Sequence, residues 1–120
     1  MDHNQCDFSI WERNLARKAE EREKLRQTVL VRLDEALKAL SEKYSWTEIF
    51  IFGSVILEGA FYEKSDVDIG IEGLDPLDHY AFVADISSLL ERDVDVVLLE
   101  ECGFAEKIKK KGQKWPTKIE

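Results

Sequence analysis

The sequence has few of the residues that staple, break or anchor a chain. Its two cysteines, Cys6 and Cys102, form no CxxC pair, so neither a disulfide framework nor a thiolate metal knuckle is expected. The two histidines, His3 and His79, have no ligand-spaced partner, which argues against a zinc site. Only two prolines occur. Both fall at predicted element edges, and there is no Pro- or Ser-rich linker and no internal repeat. No apolar run approaches the roughly 18 residues of a membrane span. The opening MDHNQCDFSIWER lacks the basic and apolar regions of a secretion signal. A cytoplasmic chain without a membrane anchor is the expectation. Basic residues are also outnumbered: 17 Lys and Arg stand against 25 Asp and Glu, a net charge of −8. That balance argues against a general duplex-DNA binder.

What is present suits one globular domain. The chain has 120 residues, 44% of them hydrophobic, enough for a core without disulfides or structural metal. The charge is unevenly placed. Residues 44–106 carry 2 basic and 15 acidic residues, a local net of −13, whereas residues 107–120 carry 6 Lys and 1 Glu. An acidic centre of this kind repels phosphates unless cations neutralise it. Most of these carboxylates read as a solvated acidic surface, so the question is whether a few of them converge.

Residues 12–43 contain no Gly or Pro and read as one long helix. In its second half Leu25, Val29, Leu33, Leu37 and Leu40 recur at three- and four-residue steps. Its first half has only a thin seam of Leu15 and Ala19, and reads as a charged solvent-exposed helix. Alternatively it packs on a partner, helped by Phe8, Ile10 and Trp11. EIFIF at 48–52 reads as a buried strand ending at Gly53, before a short helical stretch. DVDIGIE at 66–72 alternates strictly, placing Val67, Ile69 and Ile71 on one face and Asp66, Asp68, Gly70 and Glu72 on the other. Asp75-Pro76 opens a helix running to about Leu90, with Asp75 as N-cap. VDVVLL at 94–99 reads as a third strand, and 101–111 as a closing helix with Phe104, Ala105 and Ile108 inward. Gly112 ends that helix, and Trp115-Pro116 starts the tail. The order α-β-α-β-α-β-α predicts an α/β (α+β) fold, a small mixed sheet packed with helices.

Three features carry chemistry. Gly53-Ser54 follows a strand and precedes a helical turn, where backbone N–H groups can meet an anion; strand–Gly–Ser turns also serve structure alone. Asp66 and Asp68 project from one strand face, roughly 7 Å apart by the strand rise. Two such charges raise each other's pKa unless a cation sits between them, and a hard divalent ion is the usual solution. Acids on an edge strand also guard against aggregation. Asp95 is the one charge in an apolar strand, costly unless it finds a partner, a metal or solvent.

Together, IFGSVILEGAFYEKSDVDIGIEG and RDVDVVLLEE resemble the active-site pattern of the nucleotidyltransferase superfamily that includes DNA polymerase β. The likeness is greatest to its minimal bacterial and archaeal members. Their pattern is a strand ending in Gly-Ser, an Asp-x-Asp on the next strand and a third Asp on a later one. AEKIKKKGQKW also looks like their closing helix. This sequence departs from the pattern at Glu58, where many members have glycine, with Gly59 one place later. It has Val55, Ile56 and Leu57 where an arginine often follows the serine. The resemblance implies a single domain over 1–120, with 1–24 a mostly helical extension and 25–116 the nucleotidyltransferase core. It implies catalytic and metal-binding roles for Asp66, Asp68 and Asp95, and nucleotide binding by Gly53 and Ser54. Two magnesium ions, or manganese in their place, would bridge carboxylates and triphosphate. The implied reaction moves a nucleoside monophosphate, AMP from ATP, to an acceptor hydroxyl. The implied partner is a small helical toxin of the HEPN type, with a homodimer as a further expectation. The alternative is an antitoxin-like module that masks the toxin without catalysis.

Overall fold

A computed structural model describes residues 3–116, with side chains described from residue 9 onward. The side chains of His3, Cys6 and Phe8, and the tail beyond Pro116, lie outside the described residues. Helix α1 spans His3–Leu40, starting earlier than the sequence suggests and giving way to a turn at residues 41–43. The periodic seam works as expected from Val29 onward: Val29, Leu33, Ala36, Leu37 and Leu40 are buried. Residues 9–22 are exposed throughout, Leu15 included. No described helix is long and apolar enough to cross a membrane.

The sheet has four strands, β1 (Glu48–Phe52), β2 (Val67–Glu72), β3 (Val94–Leu98) and β4 (Gln113–Trp115). Their order is β3-β2-β1-β4. β1 is antiparallel to β2 and β4, and β2 is parallel to β3. A parallel pair needs a crossover, here the helix α2 (His79–Leu90). Asp75 caps a separate 3₁₀ turn, Pro76–Asp78, its side chain accepting from the Leu77 N–H; α2 itself starts at His79, later than the Asp75-Pro76 start expected.

The period-2 pattern divides the sheet into two faces. Ile49, Ile51, Val67, Ile69, Ile71, Val94 and Val96 meet α1 and α2 in the main core. On the other face Phe50 packs with Leu99 and with Ile108 of α3 (Ala105–Lys111) in a smaller cluster. Gly70 makes this possible, because a Cβ there would stand 2.9 Å from Leu99 Cδ2 and 3.2 Å from Ile108 Cγ2. Glu48 and Glu72 oppose each other in register on this same face. Cations neutralise them. Lys109 Nζ lies 3.0 Å from Glu72 and 3.8 Å from Glu48, and Lys114 Nζ lies 3.1 Å from Glu48.

Three expectations here are corrected. Phe104 is not inward but 61% exposed; it precedes α3 as its N-cap, outside the helix and outside the small core that buries Ile108. Trp115 does not start a tail but lies in β4, paired with Ile49. Its indole packs edge-on to Trp46 and donates to Asp34 Oδ1 at 2.9 Å, and β4 thereby covers the free edge of β1. The closing helix is also shorter than expected, because Leu99–Glu101 forms a separate 3₁₀ turn.

Candidate active site

The chain leaves β1 at Gly53, whose φ of +81° is a conformation that side chains rarely adopt. It then makes a 3₁₀ turn over Gly53–Ile56, anchored inward by buried Val55. Arg26 of α1 donates to the Val55 carbonyl at 3.2 Å and is itself gripped by both oxygens of Glu23, at 2.8 and 3.0 Å. The Glu23 carboxyl is held down to about 2, first by the Arg26 hydrogen bond and then by Gln27. The Ser54 hydroxyl makes no hydrogen bond among the described residues and is half-buried.

Register then brings two of the acids side by side. Phe52 is paired with Asp68, and Asp68 with Asp95. Side chains paired across neighbouring strands share a face, about 4.8 Å apart at the backbone. Gly53 packs directly on this pair: a Cβ there would overlap the Asp68 carboxylate. Its glycine is thus required twice, by backbone conformation and by close approach. Asp66 lies one residue before β2, exposed, at the end of a loop that is firmly tied. Buried Ser65 accepts from the Tyr62 N–H at 3.0 Å, and the Ser65 carbonyl accepts from Arg92 at 2.5 Å. The Arg92 guanidinium also lies over the Phe61 ring, 4.9 Å from its centre.

Among the described residues no Lys or Arg pairs with Asp66, Asp68 or Asp95. Half-buried Asp68 has its carboxyl pushed up, first by burial, then by the charges of Asp95 and Asp66. This is uncompensated negative charge on hard oxygen donors, the chemistry that suits a divalent ion. Among the described residues, however, no group of three His, Cys, Asp or Glu side chains forms a ready metal cage. The donors fit an ion such as magnesium, which takes one or two carboxylates and completes its shell with water and substrate oxygens.

Sequence reasoning missed Arg26 and Arg92. Each acts on a backbone carbonyl 29 or 27 residues away, and no local pattern signals such a contact. Gly59 has φ +84° and open space where a side chain would begin, so the displaced glycine serves a turn rather than a close approach.

Residues 34–114 match the profile of the family described as polymerase beta, nucleotidyltransferase. Two solved structures share the fold. One, a toxin-antitoxin crystallised with AMP-PNP, is 22% identical with a TM-score of 0.59, covering 71% of this chain and 73% of that one. The other, a proposed minimal nucleotidyltransferase, is 23% identical with a TM-score of 0.60, covering 72% of this chain and 92% of that one. No curated protein matches the sequence.

Proposed function

Because the chain belongs to the polymerase beta nucleotidyltransferase family, we propose that it transfers a nucleoside monophosphate, AMP from ATP, to a hydroxyl group of a partner protein. The observation that carries this reading is the register that sets Asp68 beside Asp95 with Gly53 against the Asp68 carboxylate. Asp66, Asp68 and Asp95 would hold two magnesium ions, or manganese in their place. Bound there, such ions would neutralise the triphosphate and stabilise the entering and leaving oxygens. The chain's own groups do the rest. The Ser54 hydroxyl and the N–H groups after Gly53 bind the β- and γ-phosphates. Asp95, exposed beside Asp68, takes the proton of the acceptor hydroxyl. The hydroxyl oxygen then bonds to the α-phosphorus, the bond to the bridging oxygen breaks, and pyrophosphate leaves.

Asp66 and Asp95 are both exposed, so the acceptor side of the site is open. An open site suits an acceptor held by a partner, or a second copy of the chain completing the pocket. We favour a small, helical, RNA-cleaving toxin of the HEPN type, because a basic partner complements a chain of net charge −8. The toxin-antitoxin neighbour supports a protein partner.

The test is label transfer from α-labelled ATP to a co-purified partner. Wild type should transfer label, γ-labelled ATP should not, and Asp95→Ala should lower turnover at least roughly a hundred-fold. Asp95→Ala should keep ATP affinity within a few-fold, since phosphate contacts run through Gly53, Ser54 and the other acids. A second reading is masking without catalysis, favoured by the lack of a ready three-ligand cage among the described residues. Full protection from a cognate toxin by an Asp95→Ala protein that transfers nothing would establish masking and overturn transfer.

A further inference from the structure

A cleft of about 310 Å³ opens beside Gly53, between the turn that follows β1 and the helix α3. Phe52, Ile56 and Leu57 form one wall, and Phe104 and Ile108 the other. Lys107 and Lys111, one helical turn apart, complete its lining. The lining side chains carry no carboxylate, amide or hydroxyl. The cleft and the acids share Gly53, so one ligand in contact with that residue reaches both.

We propose that this cleft seats the nucleobase of the nucleoside triphosphate, a proposal that rests on the nucleotidyl-transfer reading. Three observations single out that occupant. The walls are apolar and include an aromatic ring, Phe104, which is 61% exposed with no structural burial to explain it. A flat heterocycle is the part of a nucleotide that gains from such a surface, by stacking. The volume lies in the range of small-ligand sites. The charges also divide along α3. Lys109 is held by Glu72 and Glu48, whereas Lys107 and Lys111 form no ion pair among the described residues. Two unpaired cations on the cleft, close to an acidic centre with few others, complement a polyphosphate entering at Gly53.

The lining also fixes the selectivity. With no side-chain amide or carboxylate to read the base edges, the cleft grips rings by area. ATP and GTP should bind within about ten-fold of each other, and UTP more weakly. A site that hydrogen-bonds one base would discriminate by orders of magnitude.

The experiment is titration calorimetry of the full chain with magnesium, comparing ATP with inorganic tripolyphosphate. The variants are Phe104→Ala and the uncharged Leu57→Asn, both at exposed positions, with Asp68→Asn as the control for the acid site. Each cleft variant should weaken ATP at least roughly ten-fold, in line with the loss of a stacking contact. Tripolyphosphate should bind these variants within about two-fold of wild type, while Asp68→Asn weakens both ligands. ATP affinity unchanged in both cleft variants would overturn the cleft and leave nucleotidyl transfer standing. Equal loss of ATP and tripolyphosphate in the cleft variants would also overturn it. A wild-type chain that binds neither ligand would overturn the transfer reading and the cleft with it.

Discussion

Gly53 carries two constraints on one Cα, and a methyl group placed there tests both. The backbone φ of +81° is strained for alanine, and the new Cβ would overlap the Asp68 carboxylate. Strain of this kind costs about 1–3 kcal/mol. Gly53→Ala should therefore lower the urea midpoint accordingly and weaken ATP binding with magnesium. Gly59 has φ +84° but open space around it, so Gly59→Ala should cost stability and leave ATP affinity alone. Equal ATP affinity in wild type and Gly53→Ala would show that the glycine serves the turn only. At this scale the sequence displayed the acids and the glycine by type. It could not display Arg26 or Arg92, because a guanidinium that bonds a distant main-chain carbonyl leaves no trace in the residues beside it.

The strands were legible where a periodicity was long enough to register. β1 announced itself as an apolar run before a glycine, and β2 by strict alternation over seven residues. β4 has three residues and gains its place by pairing with the edge of β1 and by the Trp115 contact to Asp34; three residues cannot show a period. Phe104 misled for a related reason, since helical spacing was extended one residue beyond the first true turn of α3. The join between the end of α1 and α2 makes a pH-dependent contribution. Asp85 of α2 accepts from Lys43 at 2.8 Å and from Tyr44 at 2.7 Å. These hydrogen bonds, Lys43 first, hold its carboxyl below its ordinary value. A lowered acid binds fewer protons folded than unfolded within that window, so the stabilisation is present above the ordinary value and is lost as pH falls through the folded one. The melting temperature of wild type should exceed that of Asp85→Asn at about pH 7, and the gap should narrow towards about pH 3. A gap of constant size would mean that the contact contributes by packing alone.

The whole molecule is elongated, 67 × 31 × 27 Å, because α1 continues beyond the body it helps to build. At 1.5 Å per residue its 38 residues reach about 57 Å. The body holds α1 from Glu23 and Arg26 onward, while residues 9–22 are exposed. Removing residues 1–22 should then shift the melting temperature by less than about 4 °C, the change that roughly 1 kcal/mol produces in a domain of this size. The shortened chain should bind ATP as before. If residues 9–22 are the docking surface, it should fail to retain a partner in pull-down. A large drop in melting temperature would show instead that the arm supports the fold.

One face of the sheet carries two opposed acidic pairs, and they stand in different electrical conditions. Lys109 bridges Glu48 and Glu72 and Lys114 adds a second cation at Glu48, while Asp68 and Asp95 face each other with no cation among the described residues. Dissolved sodium chloride therefore acts on one sheet with two signs. Screening weakens the lysine bridges at one end and relieves the repulsion at the other. Without magnesium, Asp68→Asn should melt at or above wild type in dilute buffer, and that advantage should shrink as ionic strength rises, because salt does for the wild-type pair what the amide does for the variant. A variant that melts below wild type at every salt concentration would mean that the carboxylate serves the fold. With magnesium bound, wild type should lose this sensitivity to salt, since the ion supplies from solution the counter-charge that Lys109 supplies from the chain.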